Sequence, residues 1–143
     1  MKKSDRIHTL LQQAPADLHG HDPRYAGFFT LFDQGFYYEA HDLLEDLWLR
    51  SSCGDYFFYK GLIQAAGAFV HLQKNRIAPA LSLLALALKN LRPFRPTYRG
   101  LDVTASVEFL ESSTRELRLD PATPFQILVQ RFPEWAKHLG REV

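Results

Sequence analysis

Apolar residues return every three or four positions along most of this chain, the spacing of amphipathic helices. Ser4 can cap a first short helix, with Asp5 in its first turn and Pro15 beyond its end. "ADLHGHDP" reads as a loop. Pro23 then opens a helix over "PRYAGFFTLFDQG", which Gly35 ends. The next helix runs from Phe36 to Arg50, and "SSCGD" follows as a loop. Gly54 or Asp55 caps a long helix from Tyr56 to Lys74. Asn75 turns the chain, and Pro79 falls in the first turn of a helix that reaches about Leu91. "RPFRPTYRG", with its prolines and glycine, cannot continue it. Asp102 caps a further helix with Val103, Val107, Leu110 and Leu117 on one face. In the tail, "FQILV" suits a short extended piece, and Pro133 opens a last short helix holding Trp135.

Alternation of period two is absent over any useful length, so the pattern predicts an all-α fold. The expected architecture is a compact single-domain bundle of roughly five to seven antiparallel helices joined by short connections. It spans residues 1–143, with 1–22 and 120–143 peripheral. A faint echo aligns Ala40, Leu43 and Leu44 with Ala80, Leu83 and Leu84. Two copies are too few for a solenoid and read as two similar hairpins. Between Tyr56 and Lys74, apolar residues from Phe57 to Leu72 cover most of the circumference, which predicts a central helix. Its remaining stripe holds Lys60, Gln64, Gly67, His71 and Lys74, beside Gly61 and Ala68. Small residues there would let another helix come close.

Composition narrows the field of functions. The 143 residues are 46% hydrophobic and 23% charged, ordinary for a globular protein able to bury a core without a metal or disulfide staple. A net charge of +1 disfavours nucleic-acid binding by bulk charge. Cys53 is the sole cysteine, so an internal disulfide is impossible and a reducing, cytoplasmic setting fits. The start makes a poor secretory signal, and no apolar run approaches the ~20 residues of a membrane span.

Candidate chemistry concentrates in "YYEAHDLLEDLW", Tyr37 to Trp48. On a helix, Phe36, Ala40, Leu43, Leu44 and Leu47 share one face, with Trp48 at its edge. His41 and Glu45 are stacked four apart, while Glu39 and Asp46 flank the other border. Should this edge meet the Gln64/His71 stripe, four polar groups gather in an apolar setting. His41, Glu45 and His71 are of the right types for zinc or iron, or for acid–base work. A buried His–Glu or His–Gln bond is also an ordinary core brace, and this structural reading ranks first. No His-Glu-x-x-His or Glu-x-x-His pair supports a metal centre. Cys53 has no partner placed beside it for nucleophilic work, and His19 with His21 is a weak metal hint. Lys89, Arg92, Arg95 and Arg99 form a basic segment that could hold an anion, although such residues more often answer the negative end of a helix.

These residues resemble a known pattern. "FDQGFYYEAHDLLEDLW" is similar to the signature of the small all-helical family called domain of unknown function 309, with its Glu-Ala-His-Glu core and Glu-x-x-Trp ending. "YKGLIQAAGAFVHLQKNRIAPAL" resembles that family's second block and "YRGLDV" its third, so the likeness covers about residues 32–110. Asp33 stands where Asn is usual and Asp42 where Glu is usual. The resemblance implies a helical bundle in which Glu39, His41, Glu45, Trp48, Gln64 and His71 belong to one site or core cluster. It implies no reaction.

Three functional readings follow. The first is a binding or interaction module, with a homodimer suggested by the apolar faces of the two central helices and by Leu86. The second is a small metal-dependent or acid–base enzyme, hydrolase-like, using His41, Glu45 and His71; a divalent metal is compatible with these residues but not required. The third is an anion or nucleic-acid binder through Lys89, Arg92, Arg95 and Arg99.

Overall fold

In the computed structural model, residues 20–122 and 134–141 are described, together with Asp5, Thr9 and Phe125. Five helices are found among them: α1 (Pro23–Asp33), α2 (Tyr37–Trp48), α3 (Cys53–Gln73), α4 (Ile77–Leu91) and α5 (Val103–Leu119). A 3-10 turn (Arg92–Phe94) and a hairpin of β1 (Thr97–Tyr98) with β2 (Leu101–Asp102) link α4 to α5, and a second 3-10 turn covers Trp135–His138. The fold is all-α, as the periodicity predicts. Asp5 and Thr9 are helical, but most of the expected first helix lies outside the described residues, as do most of "FQILV" and Pro133. Phe125, the first residue of "FQILV", is helical rather than extended.

Local chemistry sets the helix limits. The Asp22 carboxylate accepts the Arg24 N–H at the start of α1, where Pro23 lacks a donor to lose. Gly35, at φ +84°, ends that helix, and the Phe36 N–H returns to the Leu31 carbonyl. Phe36 therefore lies outside α2 and is 50% exposed, not part of its apolar face. α3 begins at Cys53, earlier than expected, with Ser52 at the cap position. Asp55 sits inside the first turn and is drawn to Arg99 instead of capping. Asp102 caps α5 through the Ala105 N–H, at 2.9 Å.

α3 packs against both α2 and α4, which makes it the central helix. Phe58, Leu62, Ala65, Ala66 and Phe69 from α3 are fully buried with Ala40, Leu43 and Leu44 of α2 and Ala80, Leu84, Ala87 and Leu91 of α4. The small-residue side of α3 receives α4. A Cβ on Gly61 would stand 2.8 Å from the Leu91 side chain, and one on Gly67 3.3 Å from Leu83 Cδ1. Overpacking of that kind typically costs about 1–3 kcal/mol.

The described residues of the C-terminal segment pack on the helices. Trp135 is wholly buried, edge-on to the rings of Phe28, Phe29 and Phe32. Its indole Nε1 donates to Ser106 Oγ at 2.8 Å. The two Asp33 carboxylate oxygens accept the Trp135 and Ala136 N–H groups at 2.7 and 2.9 Å. Further on, Leu139 bridges Leu101, and the buried His21 donates from Nε2 to the Gly140 carbonyl at 2.7 Å. Gly100 lies where this segment crosses the hairpin. Its φ is +75°, and a Cβ there would fall 2.5 Å from the Gly140 oxygen. Among the described residues no helix is long and apolar enough to cross a membrane.

Candidate functional site

α2, α3 and α4 enclose a cleft of about 310 Å³, lined by Tyr38, His41, Ile63, Gln64, Gly67, Val70, His71 and Leu83. Helical spacing explains the set. Tyr38 and His41 are three apart on α2; Gln64, Gly67 and His71 are three and four apart on α3. Gly67 contributes no side chain, and so lets Leu83 of α4 close one wall of the cleft against α3.

Within the cleft the polar groups differ in how well they are satisfied. The Asn90 amide donates to Gln64 Oε1 at 2.7 Å, fixing the Gln64 carboxamide from the α4 side. His41 has its Nδ1 3.4 Å from Asp42 Oδ1 and its Nε2 3.6 Å from Glu45 Oε2. These are long contacts, weak as hydrogen bonds. Both ring nitrogens nevertheless face carboxylates. The Tyr38 ring lies nearly parallel to the His41 ring, 24° between planes and 6.2 Å between centroids. His71 Nδ1 is different: it is sealed from solvent and has no hydrogen-bond partner among the described residues.

The other candidates fall elsewhere. Glu45 stands beside His41 and does not line the cleft. Glu39 is half-buried in the first turn of α2, where its charge suits the positive end of the helix. Trp48 packs on Tyr56 at 5.3 Å, and its buried indole N–H also lacks a partner among the described residues. The metal reading of His41, Glu45 and His71 meets a geometric obstacle. Among the described residues no three His, Cys, Asp or Glu side chains converge as metal ligands do. Glu45 meets His41 Nε2 at 3.6 Å and is not among the residues that line the cleft with His71.

Three cations of the basic segment are engaged individually by other groups. Arg99 grips Asp55 with two hydrogen bonds, of 2.9 and 2.6 Å, and the Tyr98 hydroxyl joins the same carboxylate at 2.6 Å. The Asp55 carboxyl is held below its ordinary range by Arg99, and the Tyr98 phenol is raised by Asp55. Arg92 pairs with Glu111 at 3.3 Å, Arg95 Nε donates to the Arg92 carbonyl at 3.0 Å, and Lys89 is exposed.

Two participants are invisible to the sequence reading. Asn90 carried a faint signal, as an amide ending the uncharged run "ALSLLALAL" and Lys89. Tyr38 was legible only as the residue one turn before His41. Outside the cleft, Asp33 is a half-buried carboxyl with a raised proton affinity. Burial pushes its carboxyl up to about 6, against the lowering effect of the Ala136 and Trp135 N–H groups. Burial also lifts the Tyr37 phenol to about 12.

No curated protein and no solved structure matches the chain. The match to a family model starts before the stretch expected from the motifs and stops short of "YRGLDV", and it takes in Tyr38, His41, Gln64, His71 and Leu83 of the cleft. Over residues 25–83 the chain matches the family described as Domain of unknown function (DUF309), which bears out the family resemblance read from its sequence.

Proposed function

We infer that this chain is a binding module whose ligand is a small molecule held in the cleft between α2, α3 and α4. The observation that carries this reading is His71 Nδ1, buried beside the cleft and without a partner among the described residues. Leaving a buried polar atom unsatisfied costs about 1–3 kcal/mol. At a residue that lines a cleft, unlike Trp48, a ligand can supply the missing partner and relieve that cost. The volume, about 310 Å³, sits at the lower end for small-molecule sites. The lining mixes apolar walls with a few polar groups, as such sites do.

His71→Phe separates the two roles. A phenyl ring keeps the shape and removes the stranded nitrogen. For a binding residue the variant should gain on the order of 1 kcal/mol in urea denaturation. A loss of similar size would show that His71 holds the fold together, and would overturn the reading. A second reading, self-association through α4, is favoured by its outer face. Ala78, Pro79, Ser82, Ala85 and Leu86 are exposed there, with Lys89 the one charged side chain on that face. Sedimentation equilibrium should then show a dimer that Leu86→Lys dissociates; a monomer at high micromolar concentration would remove it.

A further inference from the structure

Resting on the reading of the cleft as a ligand site, we propose that its ligand is a flat, uncharged nitrogen heterocycle of nucleobase size. The ring would lie on the Tyr38–His41 pair, and its hydrogen-bonding edge would meet Gln64 and His71. Four observations converge on this class. The lining contains no Lys, Arg, Asp or Glu, so nothing in it compensates the desolvation of a formal charge. Asp42 and Glu45 lie within 3.4 and 3.6 Å of the His41 ring nitrogens, which disfavours an anion further. Tyr38 is half exposed and stacked with His41 at 24°, a ready aromatic platform for a planar ring. The polar groups are also matched in kind to one edge. With its oxygen occupied by Asn90, Gln64 offers its NH2 as a donor, while a turn of the His71 ring, which lines the same cleft, would bring its unpartnered Nδ1 from its sealed position to the ligand's edge. A cyclic amide or amidine presents an adjacent acceptor and donor to such a pair. A hydrocarbon chain or a simple alcohol does not.

The cleft's other walls fit the same shape. Ile63, Val70 and Leu83 supply apolar surface, and Gly67 lets Leu83 pack close to α3.

The test is an NMR titration of the whole chain with four probes: adenine, uracil, benzoate as a flat anion, and cyclohexanol as a neutral ring that is not flat. Adenine or uracil should shift the His71 and Tyr38 ring resonances. Binding should weaken about tenfold in His71→Phe and in Tyr38→Ala, the scale of one unpaired polar group or one lost stacking face. Tyr38 is half exposed, so its variant keeps the fold, and a matching amide spectrum verifies this. Tighter binding of benzoate or cyclohexanol at the same resonances would overturn the ligand class while leaving the cleft a binding site. Silence from all four would overturn the class as well. Whether the cleft binds anything would then be decided separately by the stability of His71→Phe.

Discussion

Asp33 makes the stability of this protein depend on pH in the direction opposite to most carboxylates. Its carboxyl is raised from 3.8 to about 6, chiefly by burial, even though it accepts two backbone N–H groups. The folded state therefore binds its proton more tightly than the unfolded chain does. Between these two values folding takes up a proton, and stability from this group rises as pH falls from about 6 to about 4. The interval corresponds to roughly 3 kcal/mol without screening. Because the carboxylate keeps some contact with solvent, about 1–2 kcal/mol is the realistic effect. Asp22 and Asp55, whose carboxyls are lowered by Arg24 and Arg99, act the other way. Their contribution is complete above the ordinary Asp value and is lost as pH falls through their lowered ones. Asp33→Asn is the control that isolates the effect. The amide keeps one oxygen for the Trp135 or Ala136 N–H but cannot ionise, and Asn is the residue usual at this position in the family resemblance. Urea denaturation by circular dichroism at about pH 7.5 and about pH 4.5 should show the wild type gaining about 1–2 kcal/mol relative to Asp33→Asn on acidification. Parallel pH profiles for the two proteins would refute the argument.

Two further predictions concern the C-terminal anchor. Ser106→Ala strands the buried Trp135 indole N–H and should cost about 1–3 kcal/mol in chemical denaturation. Gly100→Ala meets both an unfavourable φ and the Gly140 oxygen at 2.5 Å, so it should destabilise by more than about 1 kcal/mol and expose the Gly140 amide, which donates to the Gly100 carbonyl, to faster hydrogen exchange.

How much of this was legible in the sequence follows from the range of the interactions. Helices α1 to α5 could be read because their spacing, prolines and caps act within a few residues. The central place of α3 was legible from its nearly all-round apolar surface. His41 and His71 carried compositional signals strong enough to mark them, although only three-dimensional packing brings them to one cleft. The failures share a cause. Asp33 and Trp135 meet across 102 positions, His21 and Gly140 across 119, and Gln64 and Asn90 across 26. Nothing local announces such a partner. Arg99 illustrates the reverse error. Counted among neighbouring cations it resembled part of an anion site, yet its guanidinium answers Asp55, far away in the chain.

The burial of Trp135 also gives this protein a built-in optical reporter. The chain has two tryptophans. Trp135 is caged by phenylalanines and hydrogen-bonded, while Trp48 is partly open to water beside Tyr56. Their emission should differ in colour, blue for the caged indole and redder for the other. Selective quenching of the red component by iodide would leave a signal that follows docking of the C-terminal segment without any label.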